Sequence, residues 1–259
     1  MRNDFTILIQ GRLNRDCYDF YAKNYNKYNV VISTWSDTQF QIKNAPKNFT
    51  VLRINKPSNP GNQNSNLQIQ STLNGLKYVN TKYVVKVRGD EYYSNIEDMI
   101  RLVIKEENKI YTSPIYFRHP KDGLYHISDH LIVATKENMF KMFSDITYDN
   151  MVPIEVNLGV NFLKQVETDY NKEPLESMVK YFDIIDLNNH KPYMVTTNCC
   201  YPYKHTNFIP EKNNSISKID MIFNSIQKQN AIIRNIGNDK NPNIEVANLS
   251  FWRNKLNKK

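Results

Sequence analysis

Short apolar blocks recur along this chain and change period several times. Residues 5–9 (Phe-Thr-Ile-Leu-Ile), 29–35 (Asn-Val-Val-Ile-Ser-Thr-Trp) and 49–54 (Phe-Thr-Val-Leu-Arg-Ile) are brief, β-branched and mostly apolar, the pattern of buried strands. Residues 16–25, between the first two, read as a helix. A breaker-rich turn, Pro57-Ser58-Asn59-Pro60-Gly61-Asn62, follows the third strand. Asn66 then stands as the cap of a helix over 67–79, whose Leu67, Ile69, Leu73, Leu76 and Val79 are spaced mostly for one face. Residues 83–88 form another strand, and Asn95 caps a helix over 96–107 that turns Met99, Ile100, Val103 and Ile104 inward.

Strands and helices alternating in this way predict an α/β fold, a mainly parallel central sheet with helices on both faces. Beyond residue 108 the pattern loosens. Residues 109–112 and 124–134 read as strands, 136–143 as a helix, and 154–166 as a helix led in by Pro153. Farther on, 191–197 reads as a strand, and 216–229 and 244–257 as helices, the last packing Leu249, Phe251, Trp252 and Leu256. No repeat or long linker divides the chain, so one domain over 1–259 is expected, with a regular half at about 1–108 and a less regular half at about 109–259.

Composition narrows the classes. A chain of 259 residues with 40% hydrophobic and 12% aromatic residues has ample material for a core and is not a disordered protein. Its formal net charge of +8 permits nucleic acid, anionic membrane or phosphorylated partners. The basic residues are dispersed, however, and no nucleic-acid module is visible, so no specific nucleic-acid partner is expected. The one tight basic cluster, at 253–259, offers a weak peripheral contact with an anionic membrane, against the plainer reading of a solvated terminus. Cys17, Cys199 and Cys200 make no disulfide framework and read as reduced thiols. Neither a signal peptide nor an apolar run of about 18 residues stands out, so the expected location is cytoplasmic, peripheral to a membrane at most. Oligomeric state stays open.

The candidate chemistry centres on Tyr83-Val84-Val85-Lys86-Val87-Arg88-Gly89-Asp90-Glu91. An apolar strand that ends in acids is how α/β proteins set carboxylate oxygens at the mouth of a sheet, and hard cations such as Mg²⁺ and Mn²⁺ favour such oxygens. Gly89 lets the chain turn at the strand end without a Cβ clash. The plainer reading is a solvated acidic turn. Gln10-Gly11-Arg12 follows the first strand, Ser33-Thr34-Trp35-Ser36-Asp37 the second, and Asn59-Pro60-Gly61 precedes the next helix. In a doubly wound sheet these loops converge on one crevice. There Trp35 stacks on a base or packs in the core, and Arg12 and Arg88 neutralise phosphate.

The segments Ile-Leu-Ile-Gln-Gly-Arg, Val-Val-Ile-Ser-Thr-Trp, Asn-Pro-Gly, Gln-Ile-Gln-Ser-Thr-Leu-Asn-Gly-Leu and Lys-Tyr-Val-Val-Lys-Val-Arg-Gly-Asp-Glu occur in that order. With His-Ile-Ser-Asp-His-Leu at 126–131 and Pro-Ile-Glu-Val-Asn-Leu-Gly-Val-Asn-Phe-Leu at 153–163, the series resembles the WavE-type lipopolysaccharide-synthesis glycosyltransferases over roughly residues 5–165. The resemblance implies a GT-A-type nucleotide-binding α/β/α sandwich, a nucleotide-sugar donor, a glycan or glycolipid acceptor and a divalent metal, Mn²⁺ or Mg²⁺. On this reading 1–108 is the nucleotide-sugar half and 109–259 the acceptor side.

By similarity Asp90, with Glu91 beside it, takes the metal. The usual motif of GT-A enzymes has its acids two residues apart, whereas these are adjacent and position 88 is Arg. Either Asp90 alone ligates the metal with Glu91 on ribose or sugar, or Arg88 partly replaces a metal charge. Nucleotide-sugar contacts fall to Gln10, Gly11, Arg12, Thr34, Trp35, Gln68, Arg88 and, from Tyr201-Pro202-Tyr203-Lys204-His205, Lys204. Leu67 stands where the family pattern carries a basic residue before the Gln.

Two residues compete as the base that takes the acceptor proton. Glu155 opens a helix in a Pro-x-Glu-x-x-Leu-Gly pattern similar to the acidic motif before the acceptor helix of GT-A enzymes; its plainer role is a helix-dipole acid. Asp129 lies between Ser128 and His130, and its plainer role is a turn or acceptor-binding carboxylate. His126 and His130 read first as structural hydrogen bonders, with sugar or metal binding as the alternative; His190 and His205 are less constrained, and completing a metal shell is the lesser reading of either. Competing functions are a sugar nucleotidyltransferase, which favours a Gly-rich basic loop after the first strand, and a catalytically inactive carbohydrate- or nucleic-acid-binding protein on the same fold.

Overall fold

The computed structural model describes residues 4–13, 15–38, 40, 42, 44–93, 96–113, 125–146, 152–185, 194–196 and 200–201. In chain order the elements are β1 (Phe5–Gln10), α1 (Arg15–Asn24), β2 (Asn29–Trp35), β3 (Phe49–Ile54), a 3-10 turn (Asn62–Asn64), α2 (Ser65–Leu76), β4 (Tyr83–Arg88), β5 (Glu91–Tyr93) and α3 (Ile96–Lys105). They continue with β6 (Ile110–Thr112), β7 (Leu131–Thr135), α4 (Lys136–Phe143), α5 (Ile154–Val166), α6 (Pro174–Tyr181), β8 (Phe182–Ile184), β9 (Met194–Thr196) and β10 (Cys200–Tyr201).

Seven strands make the main sheet in the order β3-β2-β1-β4-β7-β6-β8. The first four run parallel, and β8 runs parallel to β6. Only β7 runs against its neighbours, β4 and β6. That reversal matters for the site. Leu131, at the start of β7, pairs with Val87 near the end of β4, so the residues that lead into β7 arrive at the carboxyl edge of β4.

The period-2 alternation of strands buried on both faces divides their side chains between two cores. Phe5, Ile7 and Ile9 of β1 and Val85 and Val87 of β4 pack with Tyr21 of α1 and Met99, Ile100 and Val103 of α3. Leu8, Val84 and Ile132 pack on the opposite face with Leu76 of α2, Met139 and Phe143 of α4 and Leu158 and Phe162 of α5. The result is the expected α/β/α sandwich around a mainly parallel sheet. Lys86 sits in the second face of β4, fully buried among apolar neighbours. No helix among the described residues is long and apolar enough to cross a membrane.

Several boundaries move. The strand expected over 124–134 is confined to 131–135, because Tyr125 takes a left-handed conformation (φ 64°) and its carbonyl lies against Gly159 of α5, 2.3 Å from where a Cβ would be. Asn66 caps nothing. The helix begins at Ser65 after Asn64, itself left-handed at φ 65°, and Asn66 Nδ2 donates to Asn59 O at 3.2 Å instead. Ile104 is 40% exposed while Ile96 is buried, since at 100° per residue position 104 falls on the edge of the stripe formed by 96, 99, 100 and 103. β5, α6 and β8 carry patterns too short to read from the sequence. Of the strand expected over 191–197, β9 is described, and it pairs with β5 and β10 in a small separate sheet. Asn95, Lys204, His190, His205, the helices expected over 216–229 and 244–257, and the basic tail lie outside the described residues.

Candidate active site

A cleft of about 710 Å³ opens at the carboxyl edge of the sheet. Gln10, Gly11 and Arg12 come to it from β1, Trp35 from β2, and Gln63, Asn64, Leu67 and Gln68 from the turn and first residues of α2. Arg88 and Asp90 come from the end of β4, His126, Asp129 and His130 from the segment before β7, and Glu155 from the first turn of α5. Gln10 is fixed by a 2.7 Å hydrogen bond that its Oε1 accepts from Ser71 Oγ. The β1 and β4 loops are closely apposed. Gly89 N donates to Gln10 O at 2.8 Å, and a Cβ at position 89 would stand 2.6 Å from Arg12 O.

Arg88 and Asp90 form a two-point pair, Nε to Oδ1 at 3.1 Å and Nη2 to Oδ2 at 3.2 Å. Burial works against the Arg88 charge, but Glu91, with Oε1 3.4 Å from Nε, and Asp90 outweigh it and raise its pKa.

Glu91 does not share the cleft wall with Asp90. It is 1% exposed, its Oε1 meets Nδ1 of His130, and its Oε2 accepts from Tyr93 OH at 2.8 Å. The Glu91 carbonyl accepts from Tyr21 OH of α1. Burial opposes a charge on His130, yet the Glu91 carboxylate, followed by Asp129, outweighs it and raises the imidazole pKa. The ring stands between two carboxylates, with Nε2 3.8 Å from Asp129 Oδ1.

Asp129 and Glu155 differ in their surroundings. Burial alone would raise the Asp129 pKa, but the charges of His130, Lys86 and Arg88 and a 2.8 Å hydrogen bond from Gln68 Nε2 hold it below the ordinary value. Lys86 Nζ donates to the Asp129 carbonyl from inside the core, where burial lowers its own pKa to about 8. Glu155 is raised, first by burial and then by the negative charge of Asp129. Its Oε2 is buried without a hydrogen-bond partner among the described residues. Two carboxyl groups with pKa values pushed apart are the arrangement that divides acid and base roles.

Of the residues expected from the sequence, Gln10, Gly11, Arg12, Trp35, Gln68, Arg88, Asp90, Asp129 and Glu155 line one cleft. Thr34 does not; it is fully buried, with Oγ1 3.0 Å from Thr38 Oγ1. Sequence reasoning passed over Lys56, which lines the cleft while paired with Asp37 at 2.6 Å, and also Gln63 and Asn64. It likewise gave no role to Lys86, although a lone charge in the apolar run 83–88 was the available signal. A divalent metal is not fitted by the described residues. Both Asp90 oxygens face Arg88, both Glu91 oxygens are engaged inside, and among the described residues no group of three or more His, Cys, Asp or Glu gathers at metal-holding spacing.

Among solved structures, HddC from Yersinia pseudotuberculosis is 12% identical, with a TM-score of 0.37 over 56% of this chain and 80% of that one. The galactosyltransferase LgtC in complex with donor and acceptor sugar analogs is 10% identical, with a TM-score of 0.38 over 60% and 70%. Mouse xyloside xylosyltransferase 1 in its apo form is 8% identical, with a TM-score of 0.37 over 72% and 86%. No curated protein matches the chain. The family described as WavE lipopolysaccharide synthesis matches residues 13–184, which span α1 through β8 and include the Arg88–Asp90 pair, Asp129 and Glu155. With more than half of its length and most of the cleft inside that match, the chain belongs to the WavE lipopolysaccharide synthesis family.

Proposed function

We propose that this protein is a glycosyltransferase that moves a sugar from a nucleotide-sugar donor to a hydroxyl of a glycan or glycolipid acceptor in surface polysaccharide synthesis. The observation that carries the reading is one cleft that holds a fixed guanidinium, Arg88, together with two carboxyl groups of unequal basicity, Asp129 and Glu155. Membership of a lipopolysaccharide synthesis family supports it.

In this reading the nucleotide lies over the β1 and β2 loops, near Gln10, Gly11 and Trp35, with the diphosphate toward Arg12 and Arg88. The bond between the anomeric carbon and the phosphate oxygen breaks, and its electron pair stays on that oxygen. The acceptor oxygen forms the new bond to the anomeric carbon. Its proton passes to Glu155, whose raised pKa makes it a stronger base than Asp129, whose pKa is lowered. Asp129, steadied by Gln68, accepts a hydrogen bond from a sugar hydroxyl. Residues 1–108 bind the donor and 109–259 the acceptor within one domain, and the basic tail at 253–259 brings the cleft to a membrane-borne acceptor from the cytoplasm.

Thermal-shift measurements with UDP-, GDP-, CDP- and dTDP-sugars test the reading. One nucleotide sugar is expected to raise the melting temperature. Glu155→Gln is expected to keep that shift while slowing transfer by roughly 10²- to 10⁴-fold. A protein that no nucleotide sugar stabilises is not a glycosyltransferase of this kind.

A further inference from the structure

Arg88 and Asp90 are more than neighbours at a strand end. One edge of the guanidinium, Nε and Nη2, is engaged by the two oxygens of Asp90 at 3.1 and 3.2 Å, with Glu91 Oε1 3.4 Å from the same Nε. Nη1 and the outer hydrogen of Nη2 lie outside this pair. The Arg88 side chain is 34% exposed and lines the same cleft as Arg12. A guanidinium anchored by a carboxylate on one edge offers its other N–H groups in a fixed plane, which matches the oxygens of a phosphate two at a time.

The same contacts leave little for a divalent cation. To reach Asp90, a cation would have to strip the guanidinium from both carboxylate oxygens, or share an oxygen with it against the repulsion of like charges. Glu91 offers no replacement, because its oxygens are buried on His130 and Tyr93 and help to hold Arg88 from behind. The acids that end β4 are therefore built to fix an arginine.

We infer that the donor diphosphate in this cleft is bound, and its leaving charge neutralised, by the Asp90-anchored guanidinium of Arg88 without a divalent cation. The inference rests on the nucleotide-sugar reading above. As the anomeric carbon–oxygen bond breaks, the electron pair retained by the diphosphate faces N–H donors already oriented by Asp90. Little reorganisation then accompanies the charge development.

Isothermal titration of the full chain tests this with UDP, GDP, CDP and dTDP and their matching nucleosides, after dialysis against EDTA and again with added Mn²⁺. A nucleoside diphosphate is expected to bind with the same affinity in both conditions. Arg88→Gln is expected to weaken its binding roughly 10- to 100-fold, the worth of a charged hydrogen-bonded contact, and to leave the nucleoside affinity unchanged. Arg88→Lys keeps the charge without the planar fork and is expected to recover only part of the loss. It also serves where Arg88→Gln fails to fold. Asp90→Asn retains a carbonyl acceptor for the guanidinium and is expected to cost less than Arg88→Gln. Diphosphate binding that vanishes in EDTA and returns with Mn²⁺ overturns the inference and leaves glycosyl transfer standing. So does Arg88→Lys binding at the wild-type affinity. Failure of every nucleoside diphosphate to bind, with or without Mn²⁺, overturns both.

Discussion

The carboxylate of Glu91 meets Nδ1 of His130, a residue 39 positions further along the chain. This buried pair ties the turn after β4 to the segment that leads into β7. It thereby sets where Asp129, the next residue to His130, stands in the cleft. Tyr93 and Tyr21 complete the hold on Glu91 from the side chain and the backbone.

Breaking that pair should cost stability in a pH-dependent way. Glu91→Ala leaves a buried imidazole and phenol without their partner, and a loss of about 3–5 kcal/mol is expected from urea unfolding. The His130 pKa is raised in the folded state above its ordinary 6.5. Its contribution is therefore complete below that value and fades as pH climbs through the raised one. The gap in urea midpoint between wild type and His130→Gln should be widest in mildly acidic buffer and shrink on the alkaline side. A constant gap across pH would show that the imidazole is not charged in the fold.

Lys86 predicts the opposite trend. Burial lowers its pKa to about 8 from 10.5, so between those values the unfolded chain holds a proton that the folded chain has released. Stability should then rise with pH across that window, by roughly 3 kcal/mol for this one group. In Lys86→Met this rise is absent, and the difference between the two proteins in urea midpoint should change steadily from about pH 8 to about pH 10.5. Parallel pH profiles for the two would place the titration elsewhere.

With Glu155 as the proposed base, its carboxyl should set the acid limb of the reaction. Its carboxyl is raised above the usual 4.5 by burial and then by Asp129, so activity should fall, as pH is lowered, earlier than an ordinary glutamate would allow. Removing the neighbouring charge with Asp129→Asn should move that limb of the kcat profile toward lower pH while reducing its height. An unmoved limb would falsify the electrostatic link between the two carboxyl groups.

Gly89→Ala should damage both fold and cleft. The added Cβ would lie 2.6 Å from Arg12 O, a backbone atom that has no rotamer to yield. Pushing the β1 and β4 loops apart also strains the 2.8 Å bond from Gly89 N to Gln10 O. A destabilisation of about 1–3 kcal/mol by urea unfolding is expected, as for other overpacked sites. Wild-type stability in this variant would mean that the loops part freely.

The elements that were legible in the sequence are those with a local cause. The runs at 29–35, 49–54 and 83–88 and the helices at 136–143 and 154–166 lie where their periodicity set them, because burial on one or two faces imposes a repeat of 3.6 or 2 residues. The breaker-rich loops and the acid-ended strand were equally local signals. The loops after β1 and β2 and the end of β4 line the cleft through Gln10, Gly11, Arg12, Trp35, Arg88 and Asp90. What the chain does beyond a strand end was not legible. Asp90 and Glu91 are adjacent and chemically alike, yet one faces Arg88 in the cleft and the other turns inward to His130. No local rule separates them, since each orientation depends on partners supplied by other segments. The insertion of β7 against its neighbours was decided in the same way. Hydrogen-bond pairing between strands far apart in the chain leaves no trace in periodicity, and it was this pairing that carried Asp129 and His130 to the mouth of β4.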